Sequence, residues 1–184
     1  LASLIMPISF ACILLGTIIS PLIARKLGKY RTTLLGMFIT VSALVIRFIL
    51  KDYNLTSFIV LYATTFLGIS TLQVFILPML TDTIEYGEWK TGNRLEGITF
   101  SAFTLQQKIG MGLGAALLGF ILHKCGYVPN SATQSIEVLK GLFNAQVIIP
   151  LIGFALTLVL LSFYKLDKKM PQIMSELQSR RENN

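Results

Sequence analysis

Lys108 is the residue whose type and setting could do the most chemistry. It lies about ten residues into a long apolar run, ~15 Å along a helix axis at 1.5 Å per residue. A lysine reaches an interface by extending its stem only from near the end of such a run, so this ammonium must face protein or a wet cavity. It either serves a ligand or ion pathway or pairs structurally with a carboxylate of another helix. Thr104 stands one turn earlier on the same face, and Gln106 and Gln107 are adjacent. A stripe of donors and acceptors suits a hydroxyl-rich ligand. Gln73, with Ser70 and Thr71, forms a second polar island in an apolar run, and Asn144 with Gln146 a third. Interhelical hydrogen bonding and ligand contact explain each equally well.

The stretch from Thr81 to Gly97 is dense in charge. Asp82, Glu85, Glu88 and Glu96 meet Lys90 and Arg94 there, with Tyr86 among them. It is either a solvated loop or a set of ion pairs that form in one conformation and break in another, as a gate does.

The elements that must position these groups are helices. Five apolar runs approach the ~20 residues that cross a ~30 Å hydrocarbon layer, at about Leu4–Ala24, Thr33–Leu50, Ser57–Leu80, Ile98–Leu122 and Gly141–Tyr164. The runs are continuous rather than alternating, and lipid requires every backbone group to be satisfied within the protein, so helices rather than strands are expected. Only 14% of the 184 residues are charged, against ~25% in soluble domains. The expected fold is an all-α membrane protein, residues 1–164 in the bilayer and a polar tail at 165–184.

Charge sets the orientation. Arg25, Lys26, Lys29 and Arg31 follow the first run, Lys90 and Arg94 the third, and Lys165, Lys168, Lys169, Arg180 and Arg181 the fifth. With five spans these groups share one side, which is expected to be cytoplasmic, tail included. The other side holds Lys51, Lys124 and Lys140, with Arg47 close enough to a span end to extend outward. Tyr86, Trp89, Tyr127 and Tyr164 fall near the expected interfaces. In the tail, Ile173, Met174 and Leu177 have helical spacing, consistent with a short surface helix or a frayed end. Pro78 and Pro150 could bend their helices.

Several function classes fall away. The formal charge of +7 sits in short clusters between apolar runs, with no basic stripe interleaved with aromatics, so no nucleic acid is expected. His123 is the only histidine, and Cys12 and Cys125 lack metal-ligand spacing, so neither a metal nor a cofactor is expected. No HExxH or nucleophile–base set suggests an enzyme. Gly110, Gly112, Gly114 and Gly119 form small-xxx-small pairs that are expected to pack a neighbouring helix closely, not to cradle phosphate. The chain opens at Leu1 inside an apolar run, as expected of the C-terminal piece of a longer protein.

The run Asp82-Thr-Ile-Glu-Tyr-Gly-Glu-Trp-Lys-Thr-Gly-Asn-Arg-Leu-Glu-Gly97, then Phe100-Ser101 and Lys108-Ile-Gly110, resembles the signature of the glycoside–pentoside–hexuronide:cation symporters of the major facilitator superfamily. Gly126-Tyr127 and Pro150 also fit. The resemblance covers essentially the whole chain and implies helices 8–12 of a twelve-helix fold. Arg25-Lys-Leu-Gly-Lys-Tyr-Arg31 is similar to the superfamily's basic loop between helices 8 and 9, with Arg25 where an acidic residue is common.

The resemblance implies secondary active transport of a sugar or glycoside by symport with Na⁺ or H⁺, in a cell (inner or plasma) membrane. Lys108 would lie near the coupled cation and sugar sites, Thr104 near the sugar. Gln107 and Gln73 replace an apolar residue and a tryptophan of the family's melibiose carrier. The Glu-Trp-Lys-Thr-Gly form of the loop leans toward glucuronides or xylosides. The carboxylates that hold the coupling cation in the family lie in N-terminal helices outside this sequence, so the implied partners are that half, the sugar and the bilayer. The alternative is a non-transporting remnant, or an accessory or sensor membrane protein.

Overall fold

A computed structural model describes residues 2–50, 54–129, 131 and 134–182, with side chains from Met6 onward. Lys51 lies outside the described residues. Five helices are long and apolar enough to span a membrane: α1 (Ala2–Leu27), α2 (Lys29–Leu50), α3 (Leu55–Thr91), α4 (Glu96–Lys124) and α5 (Ile136–Ser162). A 3₁₀ turn (Leu166–Lys168) and a polar helix, α6 (Met170–Glu182), follow. No strand occurs among the described residues.

Local chemistry explains the helix ends. Gly28 adopts φ +83° and alone joins α1 to α2, a left-handed conformation that glycine enters without steric cost. Asn54 caps α3, its side-chain oxygen accepting from the Thr56 N–H at 3.2 Å, and Ser135 caps α5 by accepting from Val138 at 3.3 Å. Gly92, at φ +76°, ends α3 and donates to the Glu88 carbonyl at 2.8 Å. Both α3 and α5 continue as helix through Pro78 and Pro150.

The central helix is α3, packed against α1, α2, α4 and α6. In lipid, apolar area drives helix association weakly, so close backbone approach matters. The close approaches here are at glycines. A Cβ on Gly16 would strike Ser70, one on Gly36 would strike Thr71, and one on Gly68 would strike Thr40 and the Gly36 carbonyl. Ser70, Thr71 and Thr40 are buried and satisfy their hydroxyls on carbonyls of their own helices, at Leu67, Gly68 and Gly36. They therefore pack as small residues. The island expected at residues 70–73 is split accordingly: Ser70 and Thr71 face α1 and α2, while Gln73 is exposed.

The glycines expected to pack closely do not do so within this chain. Nothing lies within 4 Å of a Cβ placed on Gly110, Gly112, Gly114 or Gly119. Helix α4 packs chiefly against α5 and, less, α3, and none of its residues is buried.

Two further expectations are corrected. The charged stretch is not a loop from Thr81. Helix α3 runs on to Thr91, 37 residues, or about 55 Å at 1.5 Å per residue, well beyond a ~30 Å core. Its polar extension survives because α6 covers it: Met170, Ile173 and Leu177 are buried against Tyr86, Trp89 and Leu166. The tail is thus a docked helix. Its apolar stripe, at i, i+3 and i+7, lies on protein, and Met174 stays exposed.

Arg47, for its part, does not extend outward. It is 5% exposed, donates to Gln146 Oε1 at 3.1 Å, and lies 4.4 Å from the Phe58 ring centroid, with Phe143 and Tyr62 also facing it. The aromatic rings of α3 and α5 replace water around its weakly hydrated guanidinium. A 570 Å³ cavity between α2, α3 and α5 opens beside it.

Candidate functional site

Asp82 is the centre of the best-formed polar contact. It is 4% exposed. Lys29 Nζ donates to its Oδ1 at 2.6 Å, and the Tyr164 hydroxyl donates to its Oδ2 at 2.7 Å. Each partner is placed by a helix end. Lys29 opens α2 directly after the Gly28 turn, and Tyr164 follows the end of α5. One carboxylate therefore fastens α2, α3 and α5 at the basic end of the bundle. The Tyr30 and Tyr164 rings meet in a tilted pair at the same junction, with centroids 5.7 Å apart.

A second cluster lies about two turns further along α3. Glu88 accepts from Arg181 at 2.8 Å and from Arg94 at 3.0 Å, and Arg94 Nε donates to Glu96 at 2.9 Å. The Arg181 hydrogen bond holds the Glu88 carboxyl below its ordinary value, burial opposes this, and Arg94 adds to it. Trp89 Nε1 donates to Glu176 at 2.6 Å, which lowers the Glu176 carboxyl in turn, and Arg180 donates to the Trp89 carbonyl at 3.1 Å.

These contacts reorder the expected gate. Asp82, Glu88, Arg94 and Glu96 are ion-paired, and Tyr86 belongs to the apolar seat of α6. Asp82 pairs with Lys29 rather than with Lys90 or Arg94. Neither Glu85 nor Lys90 has an ion-pair partner among the described residues. The sequence carried a usable signal for Lys29, since it and Asp82 lie just beyond span ends on the same side. It carried less for Arg181, whose contact depends on how α6 docks.

The intramembrane stripe is placed differently. Thr104, Gln107 and Lys108 are all exposed on α4, and Gln73 is exposed on α3. Thr104 donates to its own helix, at the Phe100 carbonyl, 2.9 Å away. The structure joins Lys108, Gln107 and Gln73 to no hydrogen-bond partner among the described residues. Gln106 faces elsewhere, into a 540 Å³ cavity between α3, α4 and α5 that Thr157 and Tyr164 also line. No cluster of three His, Cys, Asp or Glu side chains able to hold a metal occurs among the described residues. The molecule thus has one end fastened by ion pairs and, at mid-depth, open donors and acceptors on faces that the five helices leave uncovered.

Comparison with known proteins bears on what those faces serve. Residues 1–168 match the family described as MFS/sugar transport protein. The chain is 37% identical over 181 residues to the isoprimeverose transporter of Lactiplantibacillus pentosus, covering 98% of this chain and 37% of that protein. It is 31% identical over 173 residues to a glucuronide carrier protein homolog of Escherichia coli, covering 91% and 38% respectively. A putative sulfoquinovose importer of E. coli is 32% identical over 176 residues, 95% of this chain and 37% of the importer. The chain therefore spans less than two-fifths of the length of these relatives.

Proposed function

As the chain belongs to the MFS/sugar transport protein family, whose members are membrane transporters and not enzymes, we propose that it serves as the C-terminal part of a sugar:cation symporter. The carrier moves a sugar or glycoside, with glucuronides or xylosides the favoured substrates, together with Na⁺ or H⁺. The names of the relatives, isoprimeverose transporter and glucuronide carrier protein homolog, support this substrate class.

The observation that carries the reading is the exposed polar stripe of α4 within an otherwise apolar span. A mid-membrane lysine facing lipid is costly. Thr104, Gln107, Lys108 and Gln73 therefore line a path closed on its other side by the N-terminal helices of the same carrier. Transport proceeds by alternating access, the two halves rocking around a midplane site. Lys29–Asp82 and the Glu88–Arg94–Glu96 group act at the cytoplasmic end, where ion pairs on α3 break and re-form as that end opens. The carrier resides in the cell membrane, and the positive-inside bias supports a cytoplasmic basic side with the C-terminus inside.

The test is substrate-driven ion movement. The full-length carrier in proteoliposomes should move Na⁺ or H⁺ inward when a glucuronide or xyloside is added outside. Sugar entry with no ion movement under any imposed gradient would overturn symport.

A further inference from the structure

The geometry points to a binding site for the phosphate of an anionic phospholipid at the basic end of the bundle, between the ends of α1 and α5 and the start of α2. A 530 Å³ pocket lies there. Arg31, Lys165, Lys168 and Lys169 border it, against the single carboxylate of Asp167. All four cations are exposed, and none has an ion-pair partner among the described residues. Clustered cations without a counter-ion repel one another, and a bound phosphodiester removes that repulsion while accepting hydrogen bonds from them.

The position favours a lipid over a soluble anion. The pocket sits where α1 stops at Leu27 and α5 stops at Ser162, the depth of a headgroup region. Tyr30 and Tyr164 form its aromatic wall, and such rings settle at that depth. Leu27 gives it an apolar side, and Ile23, one turn earlier on α1, and Phe163, next to the lining residues Ser162 and Tyr164, are exposed apolar side chains nearby in sequence. Basic pockets between spans are a recurrent way to hold anionic headgroups. Tyr164 also donates to Asp82, so the lipid would lie beside the Lys29–Asp82 contact.

The test is a titration of the purified full-length carrier in neutral detergent with short-chain phosphatidylglycerol, with bound lipid counted by native mass spectrometry. The zwitterion phosphatidylcholine and inorganic phosphate serve as comparison probes. Phosphatidylglycerol should bind at least about tenfold more tightly than phosphatidylcholine, since each basic residue near the surface contributes to attraction of anionic lipid. The triple variant Arg31→Gln/Lys165→Gln/Lys169→Gln should lose about tenfold or more in that affinity. Removing the same charge elsewhere on this side, with Arg25→Gln/Lys26→Gln/Lys90→Gln, should leave it within about twofold of the parent. Equal loss in both variants would show unspecific attraction and overturn the site. Equal binding of the two lipids, or displacement of phosphatidylglycerol by inorganic phosphate at equal concentration, would overturn it too. Should the triple variant fail to fold, Arg31→Lys/Lys165→Arg/Lys169→Arg, expected to retain binding, and the lipid comparison on the parent decide the matter.

Discussion

Asp82→Asn isolates the contact that fastens three helices. Asparagine keeps one uncharged oxygen for Lys29, but an NH2 donor takes the place of the Oδ2 that accepts the Tyr164 hydrogen. Two charge-assisted hydrogen bonds are lost or weakened, each worth ~1.5–3 kcal/mol to a charged group. Lys29 is 29% exposed at its side chain and recovers water, so its share falls at the lower end. Tyr164 is half-buried and recovers less. The sum is ~2–4 kcal/mol, and ~1 kcal/mol shifts Tm by about 2–4 °C for a chain of this size. The expected loss is about 4–16 °C for the protein purified in detergent, read by thermal unfolding. A double-mutant cycle with Lys29→Met should return a coupling energy of ~1–2 kcal/mol. Strict additivity of the two substitutions would refute the contact as a stabilising pair.

Gly68→Ala should destabilise the protein by ~1–3 kcal/mol, because the added carbon meets the Gly36 backbone, which cannot move aside cheaply. In the same 184-residue chain, Gly112→Ala should be neutral or stabilising by up to ~1 kcal/mol, and the same thermal assay separates the two. Arg47→Lys should cost ~1–2 kcal/mol, because an ammonium cannot lie flat between rings as a guanidinium does, and an unchanged Tm would contradict the aromatic cage. Docking of α6 should depend on pH. The lowered carboxyls of Glu88 and Glu176 stabilise docking above the ordinary carboxylate value of about 4.3, and this support is lost as pH falls through their depressed values. Trp89 is the sole tryptophan, so its emission should shift to the red as pH falls below the ordinary carboxylate value and α6 releases. Emission that stays constant through acid titration of the carboxylates would contradict that.

The spans were readable because lipid imposes one rule, a long apolar run with its backbone bonds closed, and the sequence shows it directly. The end of α3 was not readable by that rule. Residues 81–91 are polar, and only the docking of α6 lets them remain a helix beyond the bilayer. Arg47 misled for a related reason. Its distance from a span end permits extension into water, but Phe143 and Gln146, which close the cage with Phe58, come from a helix distant in sequence. Glycine patterning was informative about spacing and silent about partners, since Gly36 and Gly68 meet across helices while Gly110 to Gly119 meet nothing here. The candidate stripe was legible as residue types. Its exposure on α4 was not, because that depends on how the five helices pack.

Lys108→Ala in the full-length carrier tests the central claim most directly. Labelled glucuronide or xyloside accumulation should be measured in vesicles with an imposed inward Na⁺ or H⁺ gradient. Concentrative uptake should be abolished or uncoupled from the ion while the protein still reaches the membrane in normal amount. Accumulation equal to that of the parent carrier would contradict it.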